Sequence, residues 1–346
     1  MMNTTAVGFG WLMVAAFCSG VFPLPLRLRK RYALENTMLI AMGVATLIAP
    51  TLVATCLLPQ WPSVIAAAGW ATLAKVMLFG VGWGCATAAF GLGVSAVGVS
   101  LSYPLIMGVN IMVGSTLPML SQWSNLPTGA RVLLVAGATL IFVGMALSGK
   151  AGAGREKHAS LNAPSTAHSP RSYMKGVAWC IASGAFCACA NLGFHYARPI
   201  GDAARAMGMN PVYSTIPQWL PIYWSGYAAL LLWFGRAIYV NQSMYRFWGP
   251  GSGRDMALAA GMGMLHVSAQ LPYGIGAYYL GPLGTSIGWA FTISTSILAA
   301  TGAGLLVGEW RGAPHHAVRL RNTGLAVIVL AMVLLAWGNV LTLPEA

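Results

Sequence analysis

Trp83 and Thr87 stand four residues apart in "LFGVGWGCATAAFGLGVSAVGVS" (78–100), a spacing that puts an aromatic plate and a hydroxyl on one side of a helix. His266 and Gln270 repeat that spacing 183 residues later; Tyr273 continues their stripe, and Pro272 is expected to kink the helix between them. An imidazole or an amide deep in an apolar run is costly and tends to face a cavity. Trp83, Thr87, His266 and Gln270 are therefore expected to face one shared cavity, with Tyr273 beside them. Weaker stripes are Asn191 with His195, Tyr103 with Met107 and Asn110, and Thr285 with Trp289 and Thr292. Each could equally be an interhelical hydrogen bond worth under about 1 kcal/mol, and Thr87 could bond its own i−4 carbonyl. His195 could reach the outer interface.

The chemistry of such a set is binding rather than bond-making. Rings stack on the C–H face of a sugar while Asn, Gln and Thr bond its hydroxyls, so the candidate substrate-binding residues are Trp83, Thr87, Asn110, Asn191, His266, Gln270, Tyr273, Thr285 and Trp289. None of the six acids (Glu35, Glu156, Asp202, Asp255, Glu309, Glu345) lies at mid-membrane depth, and neither does any Lys or Arg. A neutral or zwitterionic solute fits better than an ion. His266 is the deep titratable group and the candidate for proton coupling.

Catalysis finds no support. A carboxylate pair, H-E-x-x-H and G-x-S-x-G are all missing, so the chain is not expected to be an enzyme. It is expected to need no cofactor and, lacking a Walker motif, not to be an ATP-driven pump. Gly91, Gly93 and Gly98 form G-x-G-x-x-x-x-G in an apolar stretch with no acid after it, which is not the dinucleotide fingerprint. Small residues three or four apart, such as Gly80 and Gly84, instead let membrane helices approach closely. The six cysteines lie in apolar runs, and Cys187 and Cys189 have no second pair or nearby His to complete a zinc site. They read as small packing residues, and no metal is expected.

The elements that position these residues follow from composition. Of 346 residues, 57% are hydrophobic and 7% charged, against about a quarter charged in a soluble domain. Such a chain cannot cover itself with polar surface. A span needs about 20 mostly apolar residues, and that ruler gives ten, near 5–26, 37–58, 73–95, 98–120, 130–148, 174–195, 217–240, 256–279, 283–307 and 322–342. The first has no basic n-region or A-x-A site and reads as a retained helix rather than a signal peptide. The net charge of +13 lies between the runs: fifteen basic residues fall in the odd-numbered connections and four on the even side. That bias puts the odd loops in the cytoplasm and both termini outside, and it argues against nucleic acid as a partner. The bilayer is the expected surrounding, with a sugar-like neutral solute as small-molecule partner and transport driven by an ion gradient or by substrate alone; a homodimer is compatible with the chain.

"GKAGAGREKHASLNAPSTAHSPRSYMK" reads as a flexible cytoplasmic linker. It divides the chain into a first five-helix repeat (1–149), the linker (150–173) and a second five-helix repeat (174–346). "FGLGVSAVG" (90–98) lies on "YGIGAYYLG" (273–281), Gly80 on Gly263, and "AAFCSG" (15–20) echoes "GAFCAC" (184–189). Both echoes pair corresponding spans, and five spans per half make the halves antiparallel. Inverted repeats are a hallmark of secondary transporters, whose site lies near the midplane where the halves meet. The expected fold is all-α, with ten transmembrane helices as a 5+5 inverted repeat.

Over nearly its whole length the chain resembles the L-rhamnose-proton symporter family of the drug/metabolite transporter superfamily. The resemblance is carried by "FPLPLRLRKRYALENTM" after the first span, "LFGVGWGCATAAFGLGVSAVGVS", "ARPIGDAARAMGMNPVY" with the following "IPQWL" after the sixth, and "GEWRGA" after the ninth. It implies ten helices, a location in the bacterial inner membrane, and uptake of L-rhamnose or a related deoxyhexose with a proton. An exporter or facilitator of another small neutral or zwitterionic metabolite would show the same lining and remains the alternative.

Overall fold

The computed structural model describes residues 2–97, 99–160, 170–306 and 310–341. Among them the chain is helical and carries no strand. In lipid every backbone N–H and C=O must be satisfied within its own segment, and an apolar chain meets that condition as helices.

The long helices are α1 (Met2–Val21), α2 (Leu34–Leu57), α4 (Trp70–Val97), α5 (Val99–Leu120), α6 (Thr128–Ser160), α7 (Pro170–Tyr196), α9 (Ile216–Val240), α10 (Ser252–Tyr279), α11 (Ile287–Leu306) and α12 (His315–Val340). Two short helices, α3 (Trp61–Ala67) and α8 (Arg198–Ala206), sit in connections. Every expected span contains a long helix. Six of the segments are long and apolar enough to cross a membrane by that test alone, or seven if α3 and the start of α4, bent by 105°, form one broken span. The chain is thus a helical, multi-pass membrane protein by composition and length.

Local features differ from expectation at two places. α2 passes through a π-helical stretch at Gly43–Ile48, where the Thr46 hydroxyl donates back to the Met42 carbonyl at 2.6 Å. α6 runs on to Ser160, so nearly half of the expected flexible linker, 150–160, is helix: Ala, Lys, Arg and Glu prolong it despite two glycines. Of the rest of the linker, 170–173 already belongs to α7 and 161–169 lies outside the described residues, as do Gly98, Glu309, Glu345, the surroundings of Gly91 and the side chain of Tyr103. Pro272 sits inside α10, which continues through it.

The helices pack in a definite set of pairs. α1 lies against α10 and α11, α7 against α4 and α5, α2 against α10, α9 against α4, and α6 against α12. Glycines set the closest of these approaches. A β-carbon on Gly80 would run into the Ile222 carbonyl of α9, and one on Gly263 into the Ala41 carbonyl of α2. Likewise a β-carbon on Gly93 would sit 2.7 Å from Cys180 Sγ of α7, and one on Gly276 2.6 Å from Leu12 of α1. The glycine-rich stretch is therefore membrane helix whose bare backbone admits its neighbours.

Candidate functional site

α4 and α10 bring Trp83 and His266 together: their rings lie 5.9 Å apart with an interplanar angle of 26°. Phe22, just past the end of α1, meets His266 edge-on at 5.3 Å. From Trp83 an aromatic column continues along α9 and into α7. Tyr223 lies 5.9 Å from Trp83, Trp219 stacks on Tyr223 at 5.3 Å, and Phe194 stacks on Trp219 at 4.6 Å. Thr87 and Gln270, one turn from Trp83 and His266, are half-buried.

Three polar atoms in this column have no hydrogen-bond partner among the described residues: His266 Nε2, Tyr223 Oη and Trp219 Nε1. Their side chains are 8%, 1% and 0% exposed, so bulk water does not serve them. Leaving such a group unsatisfied costs about 1–3 kcal/mol, and native chains keep few of them. Thr292 Oγ1 on α11 is unpartnered in the same way.

The remaining candidates form a second, fully bonded cluster beside the column. Tyr273 Oη donates to Asn191 Oδ1, while Asn191 Nδ2 donates to the carbonyls of Gly114 (2.7 Å) and Thr285 (2.6 Å). His195 Nδ1 is 2.9 Å from Thr285 Oγ1, and Trp289 Nε1 donates to Asn110 Oδ1 at 3.2 Å. Tyr273 ties the clusters together: its ring packs on Trp289 at 5.2 Å, Phe194 at 5.7 Å and Trp219 at 6.0 Å. Asn191, Asn110 and Thr285 thus spend their polar atoms on interhelical bonds, the plainer of the two roles open to them. His195 reaches inward to Thr285. Met107 is half-buried against the core.

Sequence reasoning missed Trp219 and Tyr223. The signal was present as an i, i+4 aromatic pair in "IPQWLPIYW" on α9, but aromatics at helical spacing are ordinary core, and only the tertiary structure sets them beside Trp83. It also gave no role to the acids of the connections. Asp255, in the first turn of α10 and 1% exposed, accepts the amides of Lys30 (3.1 Å), Arg31 (2.7 Å) and Tyr32 (2.9 Å). Arg31 Nε donates to the Arg246 carbonyl and Arg246 donates back to the Arg31 carbonyl, both at 3.0 Å. Glu35 accepts from Asn241 (3.0 Å) and Ser243 (2.8 Å). The segment after α1 is thereby clamped to the segment between α9 and α10. Burial by itself raises the Asp255 carboxyl, but the three amide bonds and the charge of Arg254 outweigh it and hold the group below the ordinary carboxylate value. Among the described residues no cluster of His, Cys, Asp and Glu could hold a metal ion.

Long apolar helices, packed closely through glycines and carrying their described acids towards the ends, define a multi-pass membrane protein. The L-rhamnose-proton symport protein (RhaT) family matches residues 1–340, and the chain belongs to that family, one of transporters rather than enzymes. It is 24% identical over 354 residues to an L-rhamnose-proton symporter of Citrobacter koseri, with 98% of this chain and 99% of that one covered. The symporter of Cronobacter sakazakii is 25% identical over 351 residues with the same coverage. A crystal structure of a protein 16% identical superposes with a TM-score of 0.51 over 95% of this chain and 97% of that one, which shows a shared fold.

Proposed function

We propose that the chain takes up L-rhamnose or a related deoxyhexose with a proton across the bacterial inner membrane. The observation that carries this reading is the column Trp83–Tyr223–Trp219 with its unsatisfied His266 Nε2, Tyr223 Oη and Trp219 Nε1: ring faces for a sugar's C–H surface and polar atoms for its hydroxyls. Family membership and the names of the relatives point to the same substrate and coupling ion. His266, clasped between Phe22 and Trp83, is the proton-coupling residue. Trp83, Thr87, Gln270 and Tyr273 belong to the sugar site with it, and Asn191, Asn110, Thr285 and Trp289 hold its outer wall.

The reading takes the chain as ten spans in two inverted halves, 1–149 and 174–346. Supporting it, the helix pairing maps onto itself when the halves are exchanged: α1 on α10 becomes α7 on α4, α1 on α11 becomes α7 on α5, and α2 on α10 becomes α9 on α4. The echoed glycines follow the same exchange, Gly80 meeting α9 as Gly263 meets α2. The basic connections then face the cytoplasm and both termini the periplasm.

The test is uptake of labelled L-rhamnose into cells lacking their own carrier, with and without a protonophore. Protonophore-sensitive uptake is expected, falling at least tenfold in His266→Ala. Uptake indifferent to the protonophore refutes the coupling, and no uptake refutes the substrate.

A further inference from the structure

A cavity of about 430 Å³ lies at the end of the molecule opposite the Asp255 clamp. The placement follows from the helices: Asp255 opens α10 and Ala277 closes it, while Gln218 opens α9 and Ser243 lies past its end. With 25 and 28 residues, the two helices hold these ends about 37 and 42 Å apart at a rise of about 1.5 Å per residue. Under the orientation proposed above, the cavity opens to the outside.

Its walls have the chemistry of a small neutral guest. Phe194 and Tyr278 offer ring surface, the Gln218 side chain offers an amide at 4% exposure and Thr215 a hydroxyl, while Thr285, held by His195, completes the wall. The rim carries Arg198, Asp202 and Arg205. Arg205 pairs with Asp202 and also donates to Ser214 Oγ at 3.0 Å, while Arg198 donates to the Pro282 carbonyl at 3.0 Å. Two guanidinium groups against one carboxylate leave the mouth positive, which disfavours cations and leaves a polyol indifferent. Volume and lining lie within the range of small-ligand sites. Below the cavity, Phe194 stacks on Trp219 and touches Tyr273, so its floor is the outer end of the aromatic column. The Tyr273–Asn191 and His195–Thr285 bonds lie across the same level.

We propose that this vestibule is a second, outer binding site, where a neutral monosaccharide docks on Gln218 and Thr215 before the Phe194–Trp219 stack and the Tyr273–Asn191 bond part to admit it. The proposal rests on the transport reading for the ligand's class and on its orientation for the ligand's side of entry. It also gives a role to "ARPIGDAARAMGMNPVY" and "IPQWL", which supply Arg198, Asp202, Arg205 and Gln218.

Asp202, exposed at the rim, is the place for a reporter. Asp202→Cys in intact cells is labelled with a membrane-impermeant maleimide, with the wild-type chain as the background for its six native cysteines, while L-rhamnose, L-fucose or D-glucose is titrated in. A sugar is expected to protect the reporter. Adding Gln218→Leu should raise the half-protecting concentration five- to tenfold, the effect of one lost neutral hydrogen bond. Adding Gln218→Asn, which keeps an amide, should raise it less. Protection by no sugar, or protection indifferent to Gln218→Leu, overturns the vestibule even where L-rhamnose is taken up. Protection by another sugar but not by L-rhamnose, without L-rhamnose uptake, upholds the vestibule and overturns the L-rhamnose reading.

Discussion

Replacing Asp255 by Ala removes the acceptor shared by three amides 223 to 225 positions earlier in the chain. Asp255 is 1% exposed, so solvent does not fill its place without the clamp opening. Hydrogen bonds to a charged group contribute about 1.5–3 kcal/mol each; taking about 1 kcal/mol per amide, because the freed loop regains some water, gives about 3 kcal/mol. That is about two orders of magnitude in the local opening equilibrium. Hydrogen exchange followed by mass spectrometry on protein in lipid nanodiscs reads this directly. Peptides covering 28–34 and 241–255 should exchange about a hundredfold faster in Asp255→Ala, and by an intermediate factor in Asp255→Asn, whose amide oxygen still accepts. The pH dependence follows from the lowered carboxyl pKa. A group whose pKa is lower folded than unfolded contributes fully above its unfolded value and loses that contribution as pH falls through the folded one. Between pH 5 and 8 the wild-type clamp should therefore show constant protection once intrinsic exchange is corrected for. A change below threefold in Asp255→Ala, or a clamp that loosens between pH 7 and 5, refutes the reasoning.

Gly261 and Gly263 lie two residues apart on α10 but face different surroundings: a β-carbon at Gly261 meets nothing within 4 Å, while one at Gly263 meets the Ala41 carbonyl. Gly261→Ala should be neutral or stabilising by up to about 1 kcal/mol, and Gly263→Ala destabilising by about 1–3 kcal/mol, read as thermal unfolding in detergent; equal effects would contradict the close α2–α10 contact. Tyr273→Phe should cost about 1–3 kcal/mol, because it leaves Asn191 Oδ1 buried without its donor. Trp289→Phe should cost a similar amount through Asn110 Oδ1, and an unchanged unfolding midpoint in both would show the cluster to be solvated. Tyr223→Phe removes an unpartnered hydroxyl, so it should leave stability unchanged or improved while weakening sugar binding five- to tenfold; loss of stability without loss of binding would make Tyr223 ordinary core.

Much of this molecule is written locally in its sequence. Apolar runs of span length, basic residues gathered between them and glycines three or four apart determine membrane helices and their close approach, because lipid leaves the backbone no other partner than itself. The matching spacing of Trp83 and His266 in two apolar runs is also legible, and the rings of the two residues lie 5.9 Å apart. What spacing along one helix does not encode is which neighbour a polar atom finds. Asn191, Asn110 and Thr285 look as available for substrate as His266 does, yet their partners come from helices 77 to 179 positions away and occupy them in holding the wall. Trp219 and Tyr223 look like core, and only the packing of α9 against α4 sets them in one aromatic column with Trp83. Asp255 reads as a first-turn acid until the fold delivers three amides to it. Hydrophobic periodicity is a property of single segments, whereas satisfaction of buried polar groups is a property of the assembled helices.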